Sequence, residues 1–323
     1  MDILVTGGLG FIGSHFVEKQ IQLGHEVVIW DNFTYASSLH NLSLKIRDQV
    51  IIQKIDISNL NSINSAISSH KTFDCIVNFA AESHVDRSIS NPTIFFESNV
   101  MGVVNLLELY KQGKTKKFIQ VSTDEVYGSI DQGSWNELEP LDPRSPYAAS
   151  KASAELICNS YGNTYGLRPI ITRSSNNFGP RQSVEKLIPK AISNILRGEP
   201  VTLYGTGLQR REWIYVKDNV DAISLILQEN QLETYKFNIG GVELNNFEVV
   251  THLCEIMEMH NPQIEYVKDR AGHDFRYSVN DSLFRGKFKE FQRGDFLKDL
   301  RTTVNWYIEN PDWLRSSREM VAN

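Results

Sequence analysis

Over its first 180 residues the chain alternates between short, mainly apolar runs and stretches of helical spacing, and this rhythm limits the fold more than any other feature. The apolar runs fall at 3–6, 26–31, 50–57, 75–79, 118–122 and 169–173. Helical patterns fit 11–23, 60–69, 93–110 and 147–161, with Gly24 closing the first helix and Pro92 at the start of the third. A strand with one wet face alternates apolar and polar residues, so a strand apolar throughout is covered on both faces. Such strands separated by helices argue an α/β fold with a parallel sheet clad on both sides. Sheets of that kind bind ligands beyond the carboxyl ends of their strands. That rule puts Asp31, Asp56, residues 79–82, residues 123–125 and Asn176 along one rim.

After Pro180 the rhythm loosens. Helices are expected at 185–197, 219–227, 246–257 and 295–308, and strands at 201–204, 212–216, 236–239 and 264–267. A length of 323 residues exceeds one ordinary core. The expected division is a sheet domain over 1–180, with a return segment near 211–240, and a smaller mixed α/β lobe over 181–323. There is no repeat, low-complexity tract or linker, so the lobes should pack firmly with the cleft between them.

The formal charge of -6, with no basic stripe, argues against a nucleic-acid partner. No run of 18 apolar residues suggests a membrane span. Met1-Asp2 leads straight into a strand without the pattern of a signal peptide, so cytoplasmic residence is expected. Cys75, Cys158 and Cys254 are far apart in apolar surroundings and read as buried thiols in a reducing compartment. Eight His without an HExxH motif give no reason to expect a metal.

Residues 6–13 read Thr-Gly-Gly-Leu-Gly-Phe-Ile-Gly, between the first strand and the first helix. Gly7, Gly10 and Gly13 have the spacing GxxGxxG, not the strict GxGxxG. A bare turn at a helix N-terminus lets a pyrophosphate approach free N–H groups; a plain structural turn would use the same glycines. Asp31 ends the second strand, where a carboxylate takes ribose hydroxyls and repels a 2′-phosphate. The pattern is that of a Rossmann-type domain, with NAD favoured over NADP. Asp56 and Ile57 end the third run and are placed to frame the adenine.

Tyr147 and Lys151 are four apart in a helical stretch and share a face. A phenol of pKa about 10 is no base at neutral pH unless positive charge stands near it. An ammonium and a nicotinamide ring supply that charge, so the pair suits deprotonation of a hydroxyl beside a hydride acceptor. Thr123, Asp124 and Glu125 leave the fifth strand on the same rim. Adjacent acids in a loop are commonly both solvated. Pressed together beside a reactive Tyr, one is pushed up and becomes a proton donor while the other serves as base. Simple carbonyl redox chemistry needs neither acid; loss of water needs both.

The chain resembles the nucleotide-sugar 4,6-dehydratases of the extended short-chain dehydrogenase/reductase family almost end to end. The resemblance is carried by residues 6–13, 31–36, 78–88, 121–128, 147–151, 175–180, 185–189, 211–216 and 269–274. It implies a three-step cycle on a tightly held NAD. Tyr147 takes the sugar 4-hydroxyl proton while hydride leaves C4; Glu125 removes the C5 proton and Asp124 protonates the departing 6-hydroxyl; hydride then returns to C6 and C5 is reprotonated. Thr123 bonds the 4-oxygen. The implied substrate is a nucleoside-diphosphate glucose, dTDP-glucose first, with UDP-glucose or another base left open, and the product feeds deoxysugars such as rhamnose. Family members pair through two long helices per subunit, here 93–110 and 147–161, so a homodimer is implied.

Carried over residue by residue, the NAD contacts are Gly7, Gly10, Phe11, Ile12 and Gly13 in the turn, and Asp31, Asn32, Thr34, Asp56 and Ile57 around the adenosine. Phe79, Ala80, Ala81, Ser83, Ser98 and Asn177 join Tyr147 and Lys151 toward the nicotinamide. His84 and Asn176 join Thr123, Asp124 and Glu125 on the sugar. Lys186, Leu187 and Pro189, within a stretch 186–191, line the nucleotide pocket with Thr202, Leu203 and Tyr204. Arg211 takes the diphosphate unless Arg210 does; a surface pair of Arg211 with Glu212 is the bland alternative. Asn246, Arg270 and His273, within 270–273, close the pocket. This sequence departs from the family at Ser98, where Thr is usual, at Glu212, where Asp is usual, and at Arg181 and Ser183, which replace bulkier, less charged groups expected beside the pocket. An epimerase would need the glycine turn, Tyr147 and Lys151 but no acid pair; a decarboxylase has no 6-hydroxyl to expel and usually has Ser in place of Asp124. A non-catalytic sugar-nucleotide sensor would need none of the catalytic set.

Overall fold

The computed structural model describes residues 1–67, 72–259, 263–270 and 272–322. Its strands are β1 (Asp2–Thr6), β2 (Glu26–Asp31), β3 (Val50–Lys54), β4 (Phe73–Asn78), β5 (Thr115–Thr123), β6 (Ile170–Ser174), β7 (Asn176–Phe178), β8 (Val201–Tyr204), β9 (Arg210–Tyr215), β10 (Lys236–Ile239), β11 (Val242–Asn245) and β12 (Ile264–Val267). Seven of them form one sheet in the order β3-β2-β1-β4-β5-β6-β10, every neighbouring pair parallel. Successive side chains point to opposite faces. Ile3, Val5, Val77 and Ile119 therefore pack with Phe16, Val17, Val220 and Ile223 of the helices Phe11–Gln22 and Val216–Gln228. Leu4, Ile76 and Phe118 pack on the other side with Ile63, Leu106, Leu107 and Cys158 of the helices Leu60–Ile67, Gly102–Lys111 and Pro146–Tyr165. The continuous apolar runs are the two-sided burial written into sequence.

The polypeptide leaves this sheet after β6 and returns with β10, whose Lys236 pairs with Ile171. Between and after these strands lie a sheet of order β11-β9-β7 and the pair β12-β8. They share a second core with the helices Leu187–Leu196, Asn246–Ile256 and Phe296–Glu309, built on Ile188, Ile192, Val250, Leu253, Leu300 and Tyr307.

Several expected boundaries shift. The third strand ends at Lys54 instead of 57: the last ladder bond runs from Ile55 N–H to the Asp31 carbonyl, and Asp56 then turns the chain by accepting from Ser58 N–H at 2.8 Å. The helix expected over 60–69 is described as Leu60–Ile67, and positions 68 and 69 lie outside the described residues. The helix expected to stop at 161 runs to Tyr165 and ends at Gly166, φ 70°. The helix expected over 93–110 is continuous but contains a π turn, Glu97–Met101. The strands β7 and β11 carry no apolar run to mark them in the sequence; both pair with β9. The three cysteines are free and buried. Among the described residues no helix is long and apolar enough to cross a membrane.

Candidate active site

The glycine turn follows β1 and opens the helix Phe11–Gln22. Gly7 has φ +70°, and a Cβ there would stand 2.6 Å from the Ala80 nitrogen. A Cβ on Gly13 would stand 2.2 Å from the Gly7 carbonyl oxygen. These two glycines let the helix start press against β1 and the end of β4. Gly10 is different: the nearest atom to a Cβ is the Gly7 oxygen at 3.3 Å. Its bareness is not consumed by packing and is free for a ligand. As N-cap it offers no side-chain acceptor, so the first-turn N–H groups face an open rim with the positive end of the helix behind them.

Asp31 closes this rim. Its Oδ2 accepts from Leu9 N–H at 3.0 Å and its Oδ1 from Phe33 N–H at 2.9 Å, tying the glycine turn to the next loop. Each oxygen keeps a second lone pair for a ribose hydroxyl. Burial raises its pKa. Asn32 donates to Asp56 at 3.2 Å, and Thr34 turns the loop by accepting from Ser37 N–H. Ile57 is buried against Gly102, and the Phe79 ring lies 5.1 Å from Phe16. Ala80 underlies Gly7, with Ala81 and Ser83 following; Ser98 sits in the π turn. These residues fit a dinucleotide: a bare phosphate turn, an open helix N-terminus and a carboxylate at the β2 end.

At the end of β5 Thr123 starts a tight helical turn, Asp124–Tyr127. Its hydroxyl accepts from Glu125 N–H at 3.3 Å and donates to Asp124 Oδ1 at 3.2 Å. Asp124 is 1 % exposed, and its Oδ2 has no partner among the described residues. Burial, then Glu125 and Glu212, push its pKa well above the usual carboxylate range, which favours the protonated form. Glu125 faces the cavity. Burial raises it as well, opposed by the charges of Arg211, Lys186 and Arg270. Tyr147 opens the helix Pro146–Tyr165, whose N-cap Ser145 accepts from Ala148 N–H at 3.1 Å with Pro146 in the first turn. Burial and then the field of Glu125 raise the phenol, against a hydrogen bond from Thr123. Lys151 donates to the Val121 carbonyl at 2.7 Å, and burial lowers its pKa to about 8. The expected ammonium-to-phenol pull is thus directed at β5 instead. Ionisation of Tyr147 has to be driven by positive charge brought in beside it.

A cavity of about 320 Å³ runs from Tyr147 and Glu125 across to the second lobe. Arg211 enters it from β9, its guanidinium 4.3 Å above the Tyr277 ring and donating to the Arg210, Phe275 and Asp274 carbonyls at 2.7, 3.2 and 2.9 Å. Lys186 donates to the Ser83 carbonyl at 2.9 Å, and burial lowers its pKa. Arg270 lies 4.7 Å over the Tyr204 ring and 3.6 Å from Asp86. His84 caps the helix Val85–Ser90, accepting from Arg87 N–H at 3.3 Å; burial, then Lys186, lower it to about 4. His273 contacts Asp269 at 2.5 Å and is lowered chiefly by burial. Two histidines without charge and three fixed cations thus surround one space. Asn176, Asn177, Leu187, Thr202, Leu203, Tyr204 and Asn246 complete its walls.

The family model described as GDP-mannose 4,6 dehydratase matches residues 4–309. The chain belongs to this family of nucleotide-sugar 4,6-dehydratases. It is 46 % identical to the low-salt glycan biosynthesis protein Agl12 of Haloferax volcanii, over 95 % of this chain and 99 % of that one. It is 39 % identical to the dTDP-glucose 4,6-dehydratase of Streptomyces niveus, over 97 % of this chain and 94 % of that one. The crystal structure of a double mutant of DesIV, the dTDP-glucose 4,6-dehydratase of Streptomyces venezuelae, solved with NAD bound, superposes with a TM-score of 0.92 at 40 % identity, covering 98 % of this chain and 100 % of that one.

In this nucleotide-sugar dehydratase the strand register separates the two candidate arginines. Arg211 turns into the cavity, while Arg210 faces away and pairs with Glu243 at 2.5 Å. Glu212 does not pair with Arg211; it accepts from Ser175, Ser278, Gly241 and Val279. Pro189 is a correction. It is buried inside its helix, as is Ala191, and Ile188 and Lys190 reach the cavity instead. Arg181 is another. It sits in the left-handed region, φ 69°, and turns to Glu18 at 2.8 Å and His15 at 2.7 Å, so neither it nor Ser183 touches the wall; Gln182 does. Position 271, within the expected stretch 270–273, lies outside the described residues. Residues missed by sequence include Glu185, beside the recognised Lys186, and Tyr277, whose platform role has no local signature. Asn99 was missed too: the π turn aims its amide at both backbone groups of Glu82 (2.8 and 2.9 Å) and at Ser150 (2.9 Å).

Proposed function

We propose that this dehydratase converts dTDP-glucose to the 4-keto-6-deoxy sugar nucleotide and water in an NAD-dependent reaction. The observation that carries it is Asp124: a buried carboxyl with an unpaired oxygen, beside a cavity-facing Glu125, on the turn next to Tyr147. NAD, when bound, accepts the C4 hydride and returns it to C6. Tyr147 removes the 4-hydroxyl proton, and Thr123 holds the 4-oxygen. The 4-keto group acidifies C5, and Glu125 takes the C5 proton; C5 is reprotonated as hydride returns to C6. Asp124 gives its proton to the departing 6-hydroxyl, which leaves as water. An epimerase has no use for that second proton donor. Lys186, Arg211 and Arg270 neutralise the diphosphate. The proposed cofactor contacts are those grouped on the rim above, with residues 1–180 and the β10 return forming the NAD domain and most of 181–323 the sugar-nucleotide lobe.

The test is incubation with dTDP-glucose and, separately, UDP-glucose, followed by the alkali-induced absorbance of a 4-keto-6-deoxy product. Formation with dTDP-glucose is expected; a galactose nucleotide in its place overturns the assignment. We also propose a cytoplasmic homodimer serving deoxysugar synthesis. Exposed Ile94, Phe96, Met101 and Leu156 on the two long helices support the pairing, which light scattering checks.

A further inference from the structure

Behind the acid turn lies a buried ion pair that the proposed chemistry leaves unused. Arg173, on β6, is 1 % exposed, and Glu155, on the helix Pro146–Tyr165, is 0 % exposed. Arg173 donates through Nε and Nη2 to the Glu155 carboxylate, with a closest approach of 2.6 Å. Its Nη1 donates to the Tyr127 hydroxyl and, at 3.3 Å, to the Glu137 carbonyl. The Tyr127 hydroxyl donates in turn to Asn238 on β10 at 2.9 Å. The guanidinium lies 4.6 Å over the Tyr127 ring, which also stacks with Trp135 at 6.0 Å and clusters with Ala152 and Val279.

Two of these partners belong to the catalytic elements. Tyr127 closes the turn Asp124–Tyr127, which presents the acids. Glu155 lies one helical turn beyond Lys151 and two beyond Tyr147, on the helix that presents the phenol. A buried ion pair adds little net stability over apolar residues of the same volume. What the guanidinium fork does add is direction, since its donors lie in one rigid plane.

We propose that Arg173 is a positioning residue for water loss, fixing the Asp124–Glu125 turn against the Tyr147 helix through Tyr127 and Glu155. This role rests on the dehydratase chemistry proposed above. Oxidation at C4 depends on the helix, which its own cap and sheet contacts hold. Elimination depends in addition on where the turn places two carboxyls. Loosening the turn therefore slows the second step more than the first.

Replacement of Arg173 risks misfolding, so the test is Tyr127→Phe in the full-length protein, which keeps the ring and removes one hydroxyl. Single-turnover reactions with dTDP-glucose are followed by reduced-nicotinamide absorbance for C4 oxidation, by product for elimination, and by C5 deuterium uptake from heavy water. Expected are C4 oxidation and KM within about two-fold of wild type, and elimination and C5 exchange slowed on the order of ten-fold, so that reduced cofactor accumulates. A merely structural hydroxyl lowers the melting temperature and slows all steps alike, or changes none; either result overturns the role. A wild type that forms no 4-keto product overturns the dehydratase assignment and this role together. A wild type that turns over, with a variant slowed equally in every step, overturns this role alone. Arg173→Lys, if folded, keeps the charge and loses the fork, and is expected to share the selective defect; a wild-type ratio of the two steps in it also counts against the role.

Discussion

Replacing Asp124 by Asn removes a proton and little else. The carboxyl is buried, its Oδ2 has no partner among the described residues, and burial, then Glu125, raise its pKa and favour the protonated form. An amide has nearly the same shape and the same neutral charge. The folded protein therefore changes by one imperfect hydrogen bond to Thr123, worth about 1 kcal/mol. The chemistry changes far more. Positioned general-acid catalysis is worth roughly 10²–10⁴-fold, or about 3–5 kcal/mol of barrier. That loss falls only on expulsion of the 6-hydroxyl, because C4 oxidation uses Tyr147. Stopped-flow absorbance of reduced nicotinamide with dTDP-glucose should show C4 oxidation within about two-fold of wild type. The 4-keto-6-deoxy product should form about 10²–10³-fold more slowly, with reduced cofactor accumulating meanwhile. A rate of product formation unchanged in the variant, with the fold intact by circular dichroism, would refute the acid role.

Arg211→Lys should raise the KM for the sugar nucleotide by roughly ten-fold or more, because a point charge cannot span two phosphate oxygens; Arg210→Lys, in a half-exposed pair with Glu243, should change it less than about two-fold, and titration calorimetry separates the two. Gly13→Ala, whose Cβ meets the Gly7 oxygen at 2.2 Å, should destabilise the fold by about 1–3 kcal/mol in denaturant melts, whereas Gly10→Ala, at 3.3 Å, should fold normally and lose NAD affinity. Lys151, lowered to about 8 from 10.5, carries fewer protons when folded than when unfolded between those values, so its contribution to stability becomes more favourable as pH rises through that window. Denaturant melts of wild type and Lys151→Met across that window should show this added slope only in the wild type.

Much of this was legible because chemistry and burial each leave a pattern in sequence. Two-sided burial makes the centres of β1, β2, β4 and β5 mainly apolar, and each was expected within two or three residues. The glycine turn, Asp31, the acid pair and Tyr147 lie at strand or helix ends, where local signals mark them. What stayed hidden depends on distant partners. β7 begins Asn176-Asn177 and is a strand because β9 offers it a ladder. Arg181 looked like a pocket residue because it follows the motif 175–180, yet a left-handed backbone turns it to Glu18. Lys151 shares a helix face with Tyr147, but spacing could not reveal that the Val121 carbonyl competes for its ammonium. Pro189 was assigned by adjacency, and helical periodicity rotates it into the core while Lys190 faces the cavity.

The late return of β10 to the edge of β6 makes the two lobes inseparable as genetic modules. A chain cut after residue 180 would leave the backbone of Ile170–Ser174 as a bare edge open to other molecules. It would also strip Phe16 and Val17 of their cover from the helix Val216–Gln228. Exchanging sugar specificity between relatives therefore calls for grafting loops around the cavity, with the crossing strand and helix left in place.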